Sequence, residues 1–327
     1  MFTAVLIVLL ALQVAVTPLD AEAQQPTKVY QVGLLATGGN QKTWRDQYAP
    51  FLQAMRELNY IEGRNLAIRP AFADGKVERL PSLVADLITA KVDVIVSTAV
   101  AETVAAKKAT SSIPIVMWLV GDPVADGLVE TLARPGANVT GLTNLAVGLS
   151  QKYVELLKEV VPSAARFAAV ASPHNPRLNI RQELEAAGRV LGVTISVLHV
   201  SNPGDFDDVL ARAKSDGAAG IIATTDALTY LHRRTFAAAA LKHRLPAIYW
   251  SRDYVDEGGL MTYGANVNDL RRRAATYVDK ILRGANPANL PVEQPTRFEL
   301  VINAKAAHVL NLTIPPSLLL RADQVIE

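Results

Sequence analysis

The chain of 327 residues contains no cysteine. Disulfide frameworks, thiolate metal sites and cysteine nucleophiles are therefore excluded. Aromatic residues make up only 6% of the chain, which argues against an aromatic-lined surface for nucleic acid. The charges nearly cancel at +2, and the one basic run, Arg271-Arg272-Arg273, is typical of a solvated helix face. We therefore expect no nucleic-acid partner.

Signatures of the common enzyme classes are also missing. The sequence has no G-x-S-x-G elbow, no phosphate-binding loop and no H-E-x-x-H motif. Gly38-Gly39 lacks the third glycine of the dinucleotide fingerprint, and the five histidines include no pair at metal-ligand spacing. We therefore expect no catalytic residues, no metal and no cofactor, with an α/β enzyme as the weakest alternative.

Long apolar runs are lacking apart from one at the N-terminus. Residues 4–16 are apolar except for Gln13, Thr17-Pro18 ends the run, and Ala21-Glu22-Ala23 places small residues where a signal peptidase reads them. The run is shorter than the ~20 residues of a membrane-spanning helix. We therefore predict a cleavable signal peptide over residues 1–23 and a periplasmic location. An uncleaved anchor is the alternative, because the segment has no Lys or Arg before its apolar run.

The remaining chain alternates buried strands with amphipathic helices. The stretch from Val92 to Val100 shows the unit: an apolar, β-branched run ends at Ser97-Thr98 and a helical pattern follows. Repetition of this unit predicts an α/β fold of two doubly wound parallel-sheet lobes. We assign residues 28–143 and 256–292 to lobe 1, including a strand at 259–263. Lobe 2 comprises residues 144–255 and 293–327, so the hinge has three crossings, near residues 143–148, 252–258 and 289–296.

Ligands of open parallel sheets bind at the carboxyl ends of the strands, so loop residues at those ends are the candidates. The candidate ligand-binding residues are Thr37, Gly38, Ser97, Thr98, Asp122 and Asn144 in lobe 1, Asn175, Asp226, Trp250, Ser251 and Arg252 in lobe 2, and Tyr263 near the hinge.

Two of these positions suggest opposite charges on the ligand. The hydroxyls of Ser97 and Thr98, with the N–H groups that follow, form a candidate carboxylate site at a helix N-terminus. Asp226 is a candidate partner for an ammonium group. A plain structural role stays open for each, because Ser, Thr and Asp are also the usual helix caps.

Other candidates have the same double interpretation. Asp122 precedes Pro123 and equally fits a cap for a helix predicted from Ala125. Trp250 and Tyr263 can stack on an aromatic ligand or pack in the core and hinge. Arg252 can pair with a ligand acid or with a neighbouring aspartate.

Several motifs together resemble one known family. They are Val29–Leu35, residues 58–65 (LNYIEGRN), 92–96 (VDVIV), 113–116 (IPIV), 121–124 (GDPV), 132–141 (LARPGANVTG), 243–249 (HRLPAIY), 258–264 (GGLMTYG), 300–303 (LVIN) and 314–318 (IPPSL). The chain is similar in these segments to the substrate-binding proteins of ABC transporters with the type I periplasmic fold. The subgroup is the one that contains tryptophan- and tyrosine-binding proteins.

The resemblance implies a periplasmic receptor that captures a small solute between two lobes and delivers it to an ABC permease in the inner membrane. We expect a monomer whose ligand is an aromatic amino acid or a related aromatic acid. In the family, lobe-one hydroxyls hold the ligand carboxylate, which matches Ser97 and Thr98, and a lobe-two acid meets the amino group, which matches Asp226. A receptor that passes its ligand state to a membrane signalling partner is the alternative function.

Overall fold

The computed structural model describes residues 28–38, 42, 44–144, 148–173 and 180–327. These residues form twelve strands in two sheets. The strands are β1 (Tyr30–Ala36), β2 (Leu66–Phe72), β3 (Val94–Ser97), β4 (Ile115–Val120), β5 (Val139–Thr143), β6 (Arg166–Ala171), β7 (Thr194–His199), β8 (Ile221–Ala223), β9 (Ala247–Tyr249), β10 (Met261–Ala265), β11 (Phe298–Asn303) and β12 (Gln324–Ile326).

Thirteen α-helices lie in the described part of the chain, and none of them is both long and apolar enough to cross a membrane. They are α1 (Trp44–Gln47), α2 (Ala49–Glu57), α3 (Leu80–Thr89), α4 (Val100–Ala109), α5 (Leu149–Val160), α6 (Ile180–Leu191), α7 (Phe206–Ser215), α8 (Ala227–Leu231), α9 (Arg233–Lys242), α10 (Asp253–Asp256), α11 (Val267–Leu282), α12 (Ala304–Val309) and α13 (Pro316–Leu319).

The first lobe is built on a five-stranded sheet in the order β2-β1-β3-β4-β5, and every pair in it is parallel. Strand β3 has all four residues buried, as expected for a strand covered by helices on both faces. Two apolar clusters flank the sheet, one beneath α2 and α11 and one beneath α3 and α4. The prediction of a parallel-sheet lobe is therefore confirmed for the first lobe.

The second lobe has a seven-stranded sheet in the order β12-β11-β10-β9-β8-β6-β7. All of its pairs are parallel except β10 with β11. The prediction that placed the strand near residues 259–263 in the first lobe is wrong, because β10 is hydrogen-bonded to β9 and β11 of the second sheet. Glycine at position 264 allows β10 to lie this close to the end of β9, because a Cβ on residue 264 would lie only 2.0 Å from the carbonyl oxygen of Trp250.

Helix α11 returns the chain to the first lobe, where it packs on α2 and on β3, β4 and β5. The second crossing is consequently at Ala265–Val267, where β10 ends and α11 begins, rather than at residues 252–258. The third crossing is tied to the first by Glu293, whose backbone N–H donates to Gly141 and whose carbonyl accepts from Thr143. Three segments of the chain thus cross between the lobes and form the hinge.

Candidate functional site

The two lobes meet at the carboxyl ends of their strands. A Cβ placed on Gly38, just after β1, would lie 2.3 Å from Cδ2 of Leu231 on α8 of the other lobe. A cavity with about 10 Å³ of space for water-sized spheres lies nearby between the lobes, and its lining residues are Leu119, Asn144, Leu149, Tyr153, Thr225, Trp250, Gly264, Ala265 and Val267. That volume is about what one water molecule needs, so the cleft is closed to far less space than the 300–1,000 Å³ typical of small-molecule sites.

Ser97 and Thr98 lie at the end of β3, as predicted, but Ser97 does not offer a free hydroxyl. Its side chain is fully buried and shares a 2.8 Å hydrogen bond with the hydroxyl of Thr103. Thr98 is partly buried and donates to Glu102 Oε1 at 3.3 Å. Neither residue is the N-cap of α4, which is Ala99, so the alternative role as a cap is also absent. Ligand contact by these two residues stays a prediction.

Glu102 occupies the helix N-terminus that the sequence predicted as an anion site. This side chain is only 2% exposed, and its Oε1 accepts from the backbone N–H of Thr37 at 2.5 Å. Its Oε2 is buried with no hydrogen-bond partner among the described residues, and the hydroxyl of Thr37 is in the same condition. A carboxylate in the first turn is favoured by the helix dipole. The chain therefore fills the predicted anion position with its own negative charge and leaves one acceptor oxygen open.

Arg271 provides a buried positive charge in the same lobe. It is 6% exposed, and its guanidinium lies over the rings of Tyr48 and Trp118, with Cζ 5.8 and 5.3 Å from their centroids. The two rings stack on each other at 5.4 Å. Nη1 donates to Asn268 at 2.8 Å, whereas Nε has no partner and no carboxylate lies within ion-pair distance in the described part of the chain. A buried guanidinium without a counter-ion is costly unless another group supplies one.

The prediction of a solvated face for the three arginines is wrong for this one residue. Arg272 pairs with Glu57 at 2.7 Å, and Arg273 pairs with Glu293, as expected of partly exposed charges. Arg271 instead lies in phase with Val267, Leu270 and Ala274, which form the buried stripe of α11. That i, i+3, i+4 spacing is the signal in the sequence that distinguishes it from its neighbours.

The charges of Arg271 and Glu102 affect the pKa values of two buried tyrosines, one from each lobe. Burial raises the pKa of the Tyr48 hydroxyl, Arg271 lowers it and Glu102 raises it. Burial also raises the pKa of Tyr230, on α8 of the second lobe; Asp253 raises it further and Arg271 lowers it. Arg271 and Glu102 thus both act at the hydroxyl of Tyr48, and Arg271 faces the second lobe across the cleft.

Asp226 is already fully engaged within its own lobe. Oδ1 accepts from the N–H groups of Leu228 and Thr229, and Oδ2 accepts from both the N–H and the hydroxyl of Ser172 at 2.9 and 2.6 Å. Four donors use the approximate capacity of one carboxylate. The residue is therefore the N-cap of α8, the alternative that the sequence left open. Its contact with an ammonium group stays a prediction that these bonds disfavour.

The predicted aromatic residues have different surroundings. Trp250 lines the interlobe cavity and lies 5.1 Å from the ring of Tyr230. Tyr263, in contrast, stacks on Phe298 of β11 at 5.8 Å, and it is the next residues of β10 that line the cavity. Trp250 is therefore positioned to contact a ligand ring, whereas Tyr263 packs beside the hinge.

The remaining candidates divide in the same way. Asn144 lines the cavity, and Ser251 is buried with its hydroxyl accepting from Asp253 N–H. Asp122 caps a turn through the N–H groups of Val124 and Ala125, and no helix follows there, contrary to the prediction.

Arg252 forms an ion pair with Asp256 at 3.3 Å and a hydrogen bond with Gln324 at 2.7 Å, which is its structural alternative. Asn175 lies outside the described residues. Among the residues that are described, no cluster of His, Asp and Glu is arranged to hold a metal ion.

Two parallel-sheet α/β lobes around such a cleft define the type I periplasmic binding fold. The model of one family, "ABC transporter substrate binding protein", matches residues 42–326, and the chain belongs to this family. Members are substrate-binding proteins of ABC transporters rather than enzymes, and they act with a small-molecule ligand and a permease.

Three relatives show how close the similarity is. A conserved domain protein from Vibrio cholerae has a TM-score of 0.84 and 27% identity, covering 91% of this chain and 100% of the other. The ABC domain from Streptococcus pneumonia in complex with L-Trp has a TM-score of 0.83 and 24% identity over the same shares, and it shows the fold alone. The "Tyrosine-binding protein" of Clostridioides difficile is 24% identical over 267 residues, which is 80% of this chain and 75% of that protein.

Proposed function

We propose that this chain is the periplasmic receptor of an ABC importer and captures a carboxylate-bearing aromatic solute, an aromatic amino acid or a related aromatic acid. The observation that carries this proposal is Arg271, a buried cation without a carboxylate partner among the described residues, framed by two aromatic rings at the cleft. A guanidinium binds a carboxylate through two parallel hydrogen bonds, which would supply the missing counter-ion. The relatives that are named for tyrosine and crystallised with L-Trp support the same ligand class.

The aromatic part of the ligand is assigned to the rings around this charge. Tyr48 and Trp118 belong to the first lobe, and Tyr230 and Trp250 approach from the second. Offset or edge contacts between aromatic rings contribute about 0.5–1.5 kcal/mol each beyond the burial of apolar area. Closure of the hinge brings both pairs against one solute, so the closed form binds more tightly than the open form and ligand shifts the population towards it.

The test is a thermal-shift screen of the protein recovered from the periplasm of its source. Its intact mass is expected to lack residues 1–23, as the predicted signal peptide requires. A ligand present at 100 times its Kd stabilises the folded state by about 2.7 kcal/mol, which raises Tm by roughly 5–10 °C for lobes of this size. The panel contains aromatic amino acids, aromatic acids, aliphatic amino acids and sugars.

Two variants make the assignment specific to the proposed residue. Arg271→Gln is expected to abolish the shift, while Arg272→Gln, its neighbour on the same helix, keeps it. A panel in which sugars or aliphatic solutes give the only shifts would refute the proposal. A shift that survives in Arg271→Gln would show that the carboxylate binds elsewhere, with Ser97 and Thr98 as the next candidates.

A further inference from the structure

We infer that Glu102 binds an ammonium group and that the solute is therefore a zwitterionic α-amino acid, held by both of its charged ends on the first lobe. This inference rests on the proposed function and narrows it. It reverses the role that the sequence suggested for the end of β3, because the negative charge at that place belongs to the protein.

The first step is the uneven use of the Glu102 carboxylate. Oε1 accepts from the backbone of Thr37 and from the hydroxyl of Thr98, at 2.5 and 3.3 Å. Oε2 is buried and has no donor among the residues that the structure describes. Leaving a buried charged acceptor unsatisfied is strongly unfavourable. The site therefore lacks a donor at one defined oxygen atom.

The second step is the chemistry of the missing donor. The hydroxyl of Thr37 is also buried without a described partner, so two open polar atoms belong to residues joined by the Thr37–Glu102 hydrogen bond. An ammonium group has three donors and a positive charge, so it can satisfy both atoms and neutralise the carboxylate. A ligand carboxylate at the same place would face the charge of Glu102 at close range in a medium of low dielectric constant.

The third step is the relation between the two unmatched charges. Glu102 and Arg271 both act on the hydroxyl of Tyr48, yet they form no ion pair with each other in the described structure. Both side chains belong to the first lobe, on α4 and α11. A molecule with neighbouring ammonium and carboxylate groups satisfies both charges at once, whereas an aromatic acid satisfies only Arg271.

The fourth step concerns the rival partner for the ammonium group. Asp226 receives four hydrogen bonds from its own lobe, so a ligand would have to displace the cap of α8 or the contact with Ser172. Glu102 has an open oxygen and needs no such rearrangement. The amino group therefore binds the first lobe, and the second lobe covers the aromatic side chain.

The deciding experiment compares solutes that differ only in the amino group, using the unaltered protein and isothermal titration calorimetry. The pairs are L-tyrosine with 3-(4-hydroxyphenyl)propionate and L-tryptophan with indole-3-propionate. Hydrogen bonds to charged groups contribute about 1.5–3 kcal/mol, so the amino acid is expected to bind roughly 10- to 100-fold more tightly. Equal affinity within either binding pair overturns the inference and leaves the proposed function intact. Absence of binding by all four refutes both.

A variant then assigns the effect to one residue. Glu102→Gln keeps the shape and the acceptor for Thr37 but removes the charge, so the amino acid is expected to lose its advantage while the propionate binds at least as tightly as it does to the wild type, because no unmatched carboxylate is left buried beside it. Glu78→Gln, an exposed glutamate of the same lobe, is the matched control and should retain the full difference. If Asp226→Asn removes the difference and Glu102→Gln does not, the assignment to Glu102 is wrong. The comparison of solutes on the unaltered protein remains decisive if a variant fails to fold.

Discussion

Replacement of Arg271 by methionine is expected to close the empty protein. In the closed structure, Arg271 is buried, its Nε has no acceptor among the described residues, and the guanidinium acts electrostatically on Tyr230 of the opposite lobe. We expect opening of the hinge to return this group to water. Without ligand, the unmatched charge therefore disfavours closure.

The size of the effect follows from the same contacts. An unsatisfied buried donor costs about 1–3 kcal/mol, and more when it is charged. Contacts of Arg271 with Tyr48 and Trp118 lie within the first lobe, so they are present in both the open and the closed forms and cancel. Methionine has a similar unbranched shape and no charge. Removal of the cost is expected to raise the ratio of closed to open protein by about 5- to 150-fold.

The absence of cysteine makes this measurable, because two introduced cysteines can be spin-labelled without background. Lys76, after β2, and Arg234, on α9, are exposed and lie on opposite lobes. We expect the Arg271→Met variant of the doubly labelled protein to show the short distance without ligand. The parent and an Arg272→Met control should show it only with ligand. An unchanged long distance in Arg271→Met would refute the argument that the unmatched charge opposes closure.

Two further predictions concern the lobe contact and the buried tyrosines. Gly38→Ala should weaken ligand binding by roughly 5- to 30-fold in calorimetry, because its Cβ meets Leu231 only in the closed form and overpacking costs about 1–2 kcal/mol. Addition of Leu231→Ala should restore binding. Failure of that second change to restore binding would contradict a steric clash at this contact. Burial raises the pKa of Tyr48, Tyr230, Tyr249, Tyr254 and Tyr277 above the value of about 10 in the unfolded chain. The folded state therefore keeps protons that the unfolded state loses above about pH 10, so the contribution of these tyrosines to the urea midpoint should be constant below that pH and fall above it; full phenolate absorbance at about pH 10 with native circular dichroism would contradict this.

The fold could be predicted because its signals are local. Strands β3 and β4 of the first sheet are short apolar runs, and the buried residues of β3 are those that the β-branched composition indicates. The sheet that contains β10 could not be predicted in this way. Apolar periodicity marks a strand but does not identify its neighbours, and β10 pairs with β11 at a separation of more than thirty residues. The close approach of Gly264 to Trp250 is a three-dimensional reason for that position.

The place of the candidate site follows from the sequence, but its charges do not. The rule of strand ends directs attention to the loops after β1, β3 and β9, where the candidates Thr37, Thr98 and Trp250 lie. It does not say which polar atoms remain open after the chain has satisfied its own hydrogen bonds. Ser97 and Asp226 have chemically suitable side chains whose capacity is used internally.

Glu102 and Arg271 were missed because each fits an ordinary pattern. An acid in the first turn of a helix is expected from the dipole, and an arginine in a basic run is expected at the surface. Only burial separates these two from other residues of the same pattern, and burial depends on contacts between distant elements. For Arg271 the helical phase with Val267, Leu270 and Ala274 was an available signal.

The separation of the two charges connects specificity with closure. A direct Glu102–Arg271 ion pair would satisfy both groups and allow the empty cleft to close at little electrostatic cost, but a ligand would then have to break it. Separated charges are unmatched in the closed form, and we expect them to be solvated in the open form. A solute that matches both charges removes the cost of closing, whereas a solute that matches one leaves the other buried and unpaired. The same two residues therefore select the ligand and report its presence through the hinge, because closure depends on the differential free energy of the bound and empty forms.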